Sequence, residues 1–284
     1  MITKLLRKMA DRPARMERRR RRESLESLVP LNPSSDDTYI VAFAKSGGTW
    51  FSFLLANVNL LINQMPQTAT WWNIRDYIFD IHESRHMPPS PFSHPRGRFI
   101  HTHSEFNPRY LRVLYLIRDP RDALVSYYDL TTKFGWFKGT MDEFLDSPKF
   151  GIAAWVRHVG SWVHQHTDLN RIHFVRYEDL KSEPLEVLDR IYRLYGQEVP
   201  PEMLKKAVQR SSFESMRKSE ADYRKYSYDL GSTFVFVRKG RAGGFGEELT
   251  PAQIARIETE CAEWMKMFNY LPPDKGATSP NDKA

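Results

Sequence analysis

The sequence predicts an α/β fold: a single domain with a central, mostly parallel β-sheet flanked by helices, and a P-loop-like phosphate-binding strand–loop–helix. Three observations predict it. Short apolar runs alternate with amphipathic stretches along the chain. The runs are continuously hydrophobic rather than alternating, the pattern of strands buried on both faces. One run, Tyr39 to Ala44, stops at Lys45-Ser46-Gly47-Gly48-Thr49 and resumes as a helix-like stretch from Trp50 to Ile62. Strand, glycine turn and helix together aim backbone N–H groups and a helix N-terminus at an anion. Lys45 adds a point charge there, and Ser46 and Thr49 add hydroxyl donors. The stretch is not a Walker A loop, because Lys45 precedes the glycines. Taken alone it also fits a glycine turn carrying a solvent-facing lysine.

The remaining elements follow in order. Val29 to Asp37 is a linker rich in turn formers, so the domain is expected to begin near Thr38. Met65 to Pro95 holds Trp71, Trp72, Tyr77 and Phe79 with irregular spacing and three prolines close together (Pro88, Pro89, Pro91). It fits packed surface or an acceptor pocket, the pocket being slightly favoured. Arg98 to His103 and Arg112 to Ile117 are strands, the second halted by Arg118-Asp-Pro-Arg-Asp122, with Asp122 expected to cap the helix from Ala123. Residues 141 to 166 look helical, and Arg171 to Arg176 is a further strand. Pro184 to Tyr195 is an amphipathic helix closed by Gly196, and Pro201 to Gln209 another. Ser227 to Gly246 is a long glycine-rich basic connection of the kind that is more often functional than structural. Thr250 and Pro251 open a last helix that runs to about Phe268. Residues 1–37 form a basic tail and linker, 38–271 the domain, and 272–284 a frayed end.

Composition narrows the function. With 284 residues and 41% hydrophobic content the chain can bury one large core, and the single cysteine, Cys261, excludes an intrachain disulfide and a cysteine zinc site. That suits a reducing, cytoplasmic setting. No run of about 18 apolar residues is present to span a membrane, and the opening segment lacks a secretory core. Much of the +7 net charge sits in the first 22 residues, where Arg18 to Arg22 are unbroken. The tail reads as solvated chain, with peripheral contact to anionic membrane as the sharper alternative. Nucleic acid is disfavoured, since no aromatic residue interleaves with the arginines.

In a parallel sheet, ligands bind at the carboxyl ends of the strands. Lys45, His103, Arg118 and Tyr177 each fall at or just past such an end, so four distant positions converge on one edge. Three motifs then share an order. Lys45-Ser-Gly-Gly-Thr-Trp50 resembles the 5′-phosphosulfate loop of the sulfotransferases that use 3′-phosphoadenosine 5′-phosphosulfate (PAPS), written Pro-Lys-Ser-Gly-Thr-Thr-Trp in cytosolic members. Arg118 and Ser126, eight residues apart, resemble that family's 3′-phosphate motif. Arg238-Lys239-Gly240-Arg-Ala-Gly243 is similar to its Arg-Lys-Gly-x-x-Gly loop. The match runs over about residues 38 to 268.

The resemblance implies a PAPS-dependent sulfotransferase that needs no metal and whose catalytic set is His103, Lys45 and Ser126. His103 would be the general base and Lys45 would contact the bridging oxygen of the phosphosulfate. Ser46, Gly47, Gly48 and Thr49 would hold the 5′-phosphate, and Trp50 would stack on adenine. Arg118 and Ser126, with Arg238, Lys239 and Gly240, would bind the 3′-phosphate. Tyr177, Ser211 and Phe213 would lie at the adenine side. Departures from the pattern include Ala44 for proline, Gly48 for threonine and His101 for the lysine two residues before the base. The family's dimer motif is poorly matched in Gly246 to Ala255, so that dimer is not assumed. The implied acceptor is a small molecule or glycan with a free hydroxyl, with a carbohydrate or glycolipid weakly favoured. A P-loop kinase is the rival enzyme, but it would want an aspartate for Mg²⁺ where the second strand ends in Arg118. A non-catalytic nucleotide-binding module at a membrane surface is the rival from another class.

Overall fold

The computed structural model describes residues 26–165, 171–226 and 242–272. Five parallel strands form one sheet in the order β2-β3-β1-β4-β5. They are β1 (Thr38–Ala42), β2 (Ile78–Asp80), β3 (Phe99–Thr102), β4 (Val113–Ile117) and β5 (Ile172–Arg176). The phosphate-loop strand β1 is central, with Ile40 registered against His101 on one side and Leu114 on the other. β1 and β4 are buried along their whole length, as their unbroken apolar runs require.

Alternate residues of each strand feed two cores, one per face. Tyr39, Val41, Val113, Tyr115 and Ile117 join Trp155 and Trp162 on one side. Ile40, Ala42, Leu114 and Leu116 join Phe51, Leu54 and Tyr192 on the other. Helix α1 (Gly48–Ile62) lies in the second core with eleven buried residues, including Phe51, Phe53, Leu54 and Leu55. Each such side chain contributes about 1.5–3 kcal/mol by leaving water. That burial seats the helix rigidly behind the loop it follows.

The other helices are α2 (Ile74–Tyr77), α3 (Pro120–Lys133), α4 (Met141–Asp146), α5 (Ile152–Val163), α6 (Tyr177–Ser182), α7 (Pro184–Arg193), α8 (Pro201–Arg210), α9 (Phe213–Tyr226), α10 (Pro251–Glu260) and α11 (Ala262–Met267). Several differ from expectation. The cap of α3 is Asp119, which accepts a hydrogen bond from the Arg121 N–H at 2.9 Å with Pro120 in the first helical position, so Asp122 lies inside the first turn. The helical stretch that starts at Met141 is divided into α4 and α5, because Pro148 cannot continue the first. The last helix breaks at Cys261. Thr250 does cap α10, in a reciprocal capping box with Gln253, and Gly196 takes the left-handed conformation (φ 65°) just past α7. No helix among the described residues is long and apolar enough to cross a membrane. The arginine run, the 272–284 tail beyond Pro272, and Arg238, Lys239 and Gly240 lie outside the described residues.

Candidate active site

The carboxyl edge of the sheet opens into a cavity of about 690 Å³ lined by Lys45, Gly47 to Trp50, His103, Arg118, Ser126, Tyr177, Ser211 and Phe213, among others. That volume lies within the range of small-molecule sites. The four strand-end positions therefore do converge, brought together by the β3-β1-β4-β5 adjacency.

The loop between β1 and α1 is built for a close approach. Lys45 has φ 65° and Gly47 φ 96°, both left-handed, and a Cβ on Gly47 would meet the Tyr177 ring at 2.6 Å. Gly47 caps α1 without a side-chain hydrogen bond, and no acidic residue lies in the helix's first turn. Its N–H groups and positive dipole end are thus left for an anion. The Ser46 hydroxyl is buried with no protein partner, a group that costs free energy unless something else satisfies it. A Cβ on Gly48 would lie 2.6 Å from the His101 Nε2.

Arg118 sits at the end of β4. One guanidinium nitrogen donates to the Lys45 carbonyl at 3.0 Å, another lies 3.7 Å from Asp122, and the group stands 4.6 Å from the Tyr177 ring centroid. It therefore ties the loop to the wall opposite while facing the cavity. Ser126 projects from the same helix, one turn after Asp122. Asp122 accepts from the N–H groups of Gly243 (2.7 Å) and Phe245 (3.0 Å), fastening the chain that returns after the 227–241 segment.

At the far end, Trp50 donates its indole N–H to the Ser211 carbonyl at 3.0 Å, and the Ser211 hydroxyl accepts from Asn57 at 2.9 Å. Ser211 is fully buried, so its side chain serves the core and Ser212 and Phe213 carry the surface there. Lys181 stands 5.4 Å over the Trp50 ring and also lines the cavity. It was not singled out from the sequence. The signal was available, since Lys181 follows Tyr177 by one helical turn in Tyr-Glu-Asp-Leu-Lys and so shares its face.

His103 and His101 take opposite roles. The Nδ1 of His103 lies 2.7 Å from the Ala42 carbonyl oxygen. A carbonyl only accepts, so Nδ1 carries the proton and Nε2 keeps a free lone pair. Enclosure by the cavity wall, with the neighbouring His101 adding to it, holds the His103 pKa below the ordinary 6.5, against the opposing pull of the Ala42 carbonyl. The ring still presents surface to the cavity. His101 is buried and bonds Asp80 instead, and it is absent from the lining. None of residues 65 to 95 lines this cavity either. Trp71 donates to the Met216 carbonyl at 3.1 Å and Trp72 packs edge-on against Tyr223, so the segment's tryptophans pack on α9. Among the described residues no group of His, Cys, Asp or Glu is arranged to hold a metal ion.

A cationic loop, a histidine with a free lone pair and a second arginine-bearing wall on a parallel sheet define a group-transfer fold for phosphorylated substrates. The family model of the sulfotransferase domain matches residues 35–269. The dog (Canis lupus familiaris) sulfotransferase 1A1 is 29% identical over 268 residues, covering 86% of this chain and 88% of that protein. The guinea pig (Cavia porcellus) 3-beta-hydroxysteroid sulfotransferase is 27% identical, covering 84% of this chain and 85% of the relative. The crystal structure of retinol dehydratase in complex with androsterone and the inactive cofactor PAP superposes with a TM-score of 0.63 at 20% identity, covering 88% of this chain and 84% of that one. The chain belongs to the sulfotransferase family.

Proposed function

We propose that the chain moves the sulfuryl group of PAPS to a hydroxyl on a small, largely apolar acceptor, with His103 as general base and Lys45 at the leaving oxygen. The observation that carries this reading is the pairing of His103 Nε2, left bare by the Ala42 bond, with the Lys45–Thr49 loop across one cavity. The residues present fit the donor. The partnerless Ser46 hydroxyl and the open N-terminus of α1 would receive the 5′-phosphate, with Gly47 giving the close backbone approach. Arg118 and Ser126 would hold the 3′-phosphate. Trp50, Tyr177, Lys181 and Phe213, with the backbone of Ser211, would frame the adenine.

The donor supplies the sulfuryl group and its phosphate leaving group. His103 takes the acceptor hydroxyl's proton on Nε2 as the new O–S bond forms, a role worth about 10²–10⁴ in rate. Lys45 stabilises the charge that grows on the bridging oxygen as the old S–O bond breaks, by analogy with phosphoryl transfer. Arg238, Lys239 and Gly240 would complete the cation ring around the 3′-phosphate.

For the acceptor, the cavity that His103 faces is also lined by Val125, Tyr127, Leu130 and Trp136. Those residues favour a flat or compact apolar body over the carbohydrate or glycolipid that the basic tail weakly suggests. The hydroxysteroid relative and the androsterone complex point the same way. The test is mass spectrometry of products from an acceptor library with isotope-labelled PAPS. Phenols and alcohols on apolar frames should be sulfated, and exclusive sulfation of sugars would refute the acceptor assignment. Transfer that survives in His103→Ala would remove the base from its role.

A further inference from the structure

Behind the phosphate loop lies a contact that the transfer chemistry above does not use. His101 is 7% exposed. Its Nδ1 is 3.3 Å from Asp80 Oδ2 on the neighbouring strand β2, and Asp80 is in turn held by Arg75 at 3.3 Å and by the His82 N–H at 2.9 Å. The other ring nitrogen, Nε2, is buried with no partner. It is aimed at Gly48, where an added Cβ would lie 2.6 Å from Nε2 and 3.3 Å from Cδ2. The same ring meets His103 edge-on, with centroids 4.6 Å apart and planes at 89°.

We propose that His101 is a positioning residue of the transfer site. Braced by Asp80, its ring fills the space a side chain at position 48 would take and sets the plane of His103, so Gly48, His101 and Asp80 act as one unit. Two of the places where the motifs depart from the family pattern, glycine at 48 and histidine at 101, thus meet at a single contact. Gly48 is not in the left-handed region, so the absence of a side chain there is required by the neighbour and not by the backbone. The ring cannot swing aside cheaply, because Asp80 pins it and the strand pairs Asp80↔His101 and Ile40↔His101 fix its base. His103 is left with two restraints, the Ala42 carbonyl at its Nδ1 and the perpendicular His101 ring packed against it. Together they hold Nε2 toward the cavity. The part of this inference that concerns His103 rests on its reading as the base.

The test is a double-mutant cycle on the full chain with Gly48→Ala, His101→Ala and the pair, read by thermal denaturation and by calorimetric binding of 3′,5′-bisphosphoadenosine (PAP). Gly48→Ala alone is expected to lower Tm by several degrees and to weaken PAP about tenfold, as overpacking at a rigid site does. In the His101→Ala background the same alanine should change neither by much. Equal cost of the alanine in both backgrounds would overturn the steric coupling. The brace on His103 is read by two-bond ¹H–¹⁵N correlation of the imidazoles. The parent chain should show His103 as one Nδ1–H tautomer, and both His101→Ala and Asp80→Asn should convert it to a mixture. Asp80→Asn keeps the ring and the filled core, so this arm stands if His101→Ala folds poorly. An unchanged His103 tautomer in both variants would reduce His101 to packing and refute the positioning role. Neither Tm nor the tautomer needs nucleotide, so failure of the parent chain to bind PAP would count against the sulfotransferase site and leave these arms readable.

Discussion

His158 lies beneath His103 and holds its backbone. The His158 Nε2 is 3.1 Å from the His103 carbonyl oxygen and its Nδ1 is 2.8 Å from the Tyr115 hydroxyl. The carbonyl demands an N–H from Nε2, so the neutral ring accepts from Tyr115 through Nδ1 and is satisfied on both sides. Burial, more than any other influence, lowers the His158 pKa from 6.5 to about 4. Between those values the unfolded chain binds the proton and the native chain does not, so stability rises with pH through the window and is lost as pH falls from about 6.5 toward 4. The whole effect is on the order of 3 kcal/mol. Chemical denaturation at pH 7.0 and 4.5 should show most of it, and His158→Gln should flatten the difference. His103 shares the direction, so the acid limb of the rate profile should fall below pH 6.5, where an unperturbed imidazole would place it. His103→Asn should cut transfer by about 10²–10⁴ with PAP affinity within a few-fold of the parent, measured by calorimetry beside initial rates.

At the scale of elements, the first turn of α3 is a junction. Asp119 caps it and pairs with Arg121 at 2.6 Å, Arg121 lies 4.3 Å from the Phe245 ring centroid, and Asp122 accepts from Gly243 and Phe245. Asp122→Ala removes two charge-assisted hydrogen bonds from a buried carboxylate site and should cost about 2–4 kcal/mol, seen as a lower Tm. It also withdraws an anion 3.7 Å from Arg118, so a smaller fractional loss in PAP binding than in stability is expected by calorimetry. The same turn shows where sequence reasoning succeeds and fails. The strands β1 and β4 and the residues that follow them, Lys45 and Arg118, were legible because an unbroken apolar run has one good solution beside a parallel neighbour. Asp119 and Asp122 both read as caps, and Pro120 in the first helical position is what marks Asp119 as the one used. Helix α9 was not foreseen, because Glu214, Arg217, Lys218, Glu220 and Lys225 leave little apolar period to detect. Strand β2 has three residues inside an aromatic segment, too few to set a period. Lys45, His103, Arg118, Ser126 and Tyr177 were readable as strand-end and helix-turn positions. The service of Ser211 to the core and the withdrawal of His101 from the cavity depend on Asn57 and Asp80, partners that sequence spacing does not reveal.

At the scale of the whole molecule, the charges around the cavity decide between donors. Lys45, Arg118 and Lys181 line it against Asp122 and Glu248, and the Asp122 carboxylate is already engaged by two backbone N–H groups. A nucleoside triphosphate brings its negative charge to one end and relies on a divalent cation there. A 3′,5′-bisphosphate spreads its charge over two ends, which the proposed reading assigns to Lys45–Thr49 and to Arg118–Ser126. The 3′-phosphate contact is the difference, and charge-assisted hydrogen bonds of this kind contribute about 1.5–3 kcal/mol, or roughly 10–100-fold in affinity. At a hundred times its dissociation constant a ligand adds about 2.7 kcal/mol to stability, which in a domain of this size raises Tm by roughly 5 °C or more. PAP at such a concentration should therefore give a shift of that order, and ATP with Mg²⁺ at the same concentration less than half of it. The PAP shift should also shrink with added salt, because the rim of the cavity is open to solvent and its charges are screened within about 10 Å at 0.1 M. Arg118→Ala should bring the PAP shift down to that of adenosine 5′-phosphate, which lacks the 3′-phosphate. A chain stabilised equally by ATP–Mg²⁺ and PAP, with Arg118→Ala weakening both alike, would refute the two-phosphate clamp and return the kinase reading to contention.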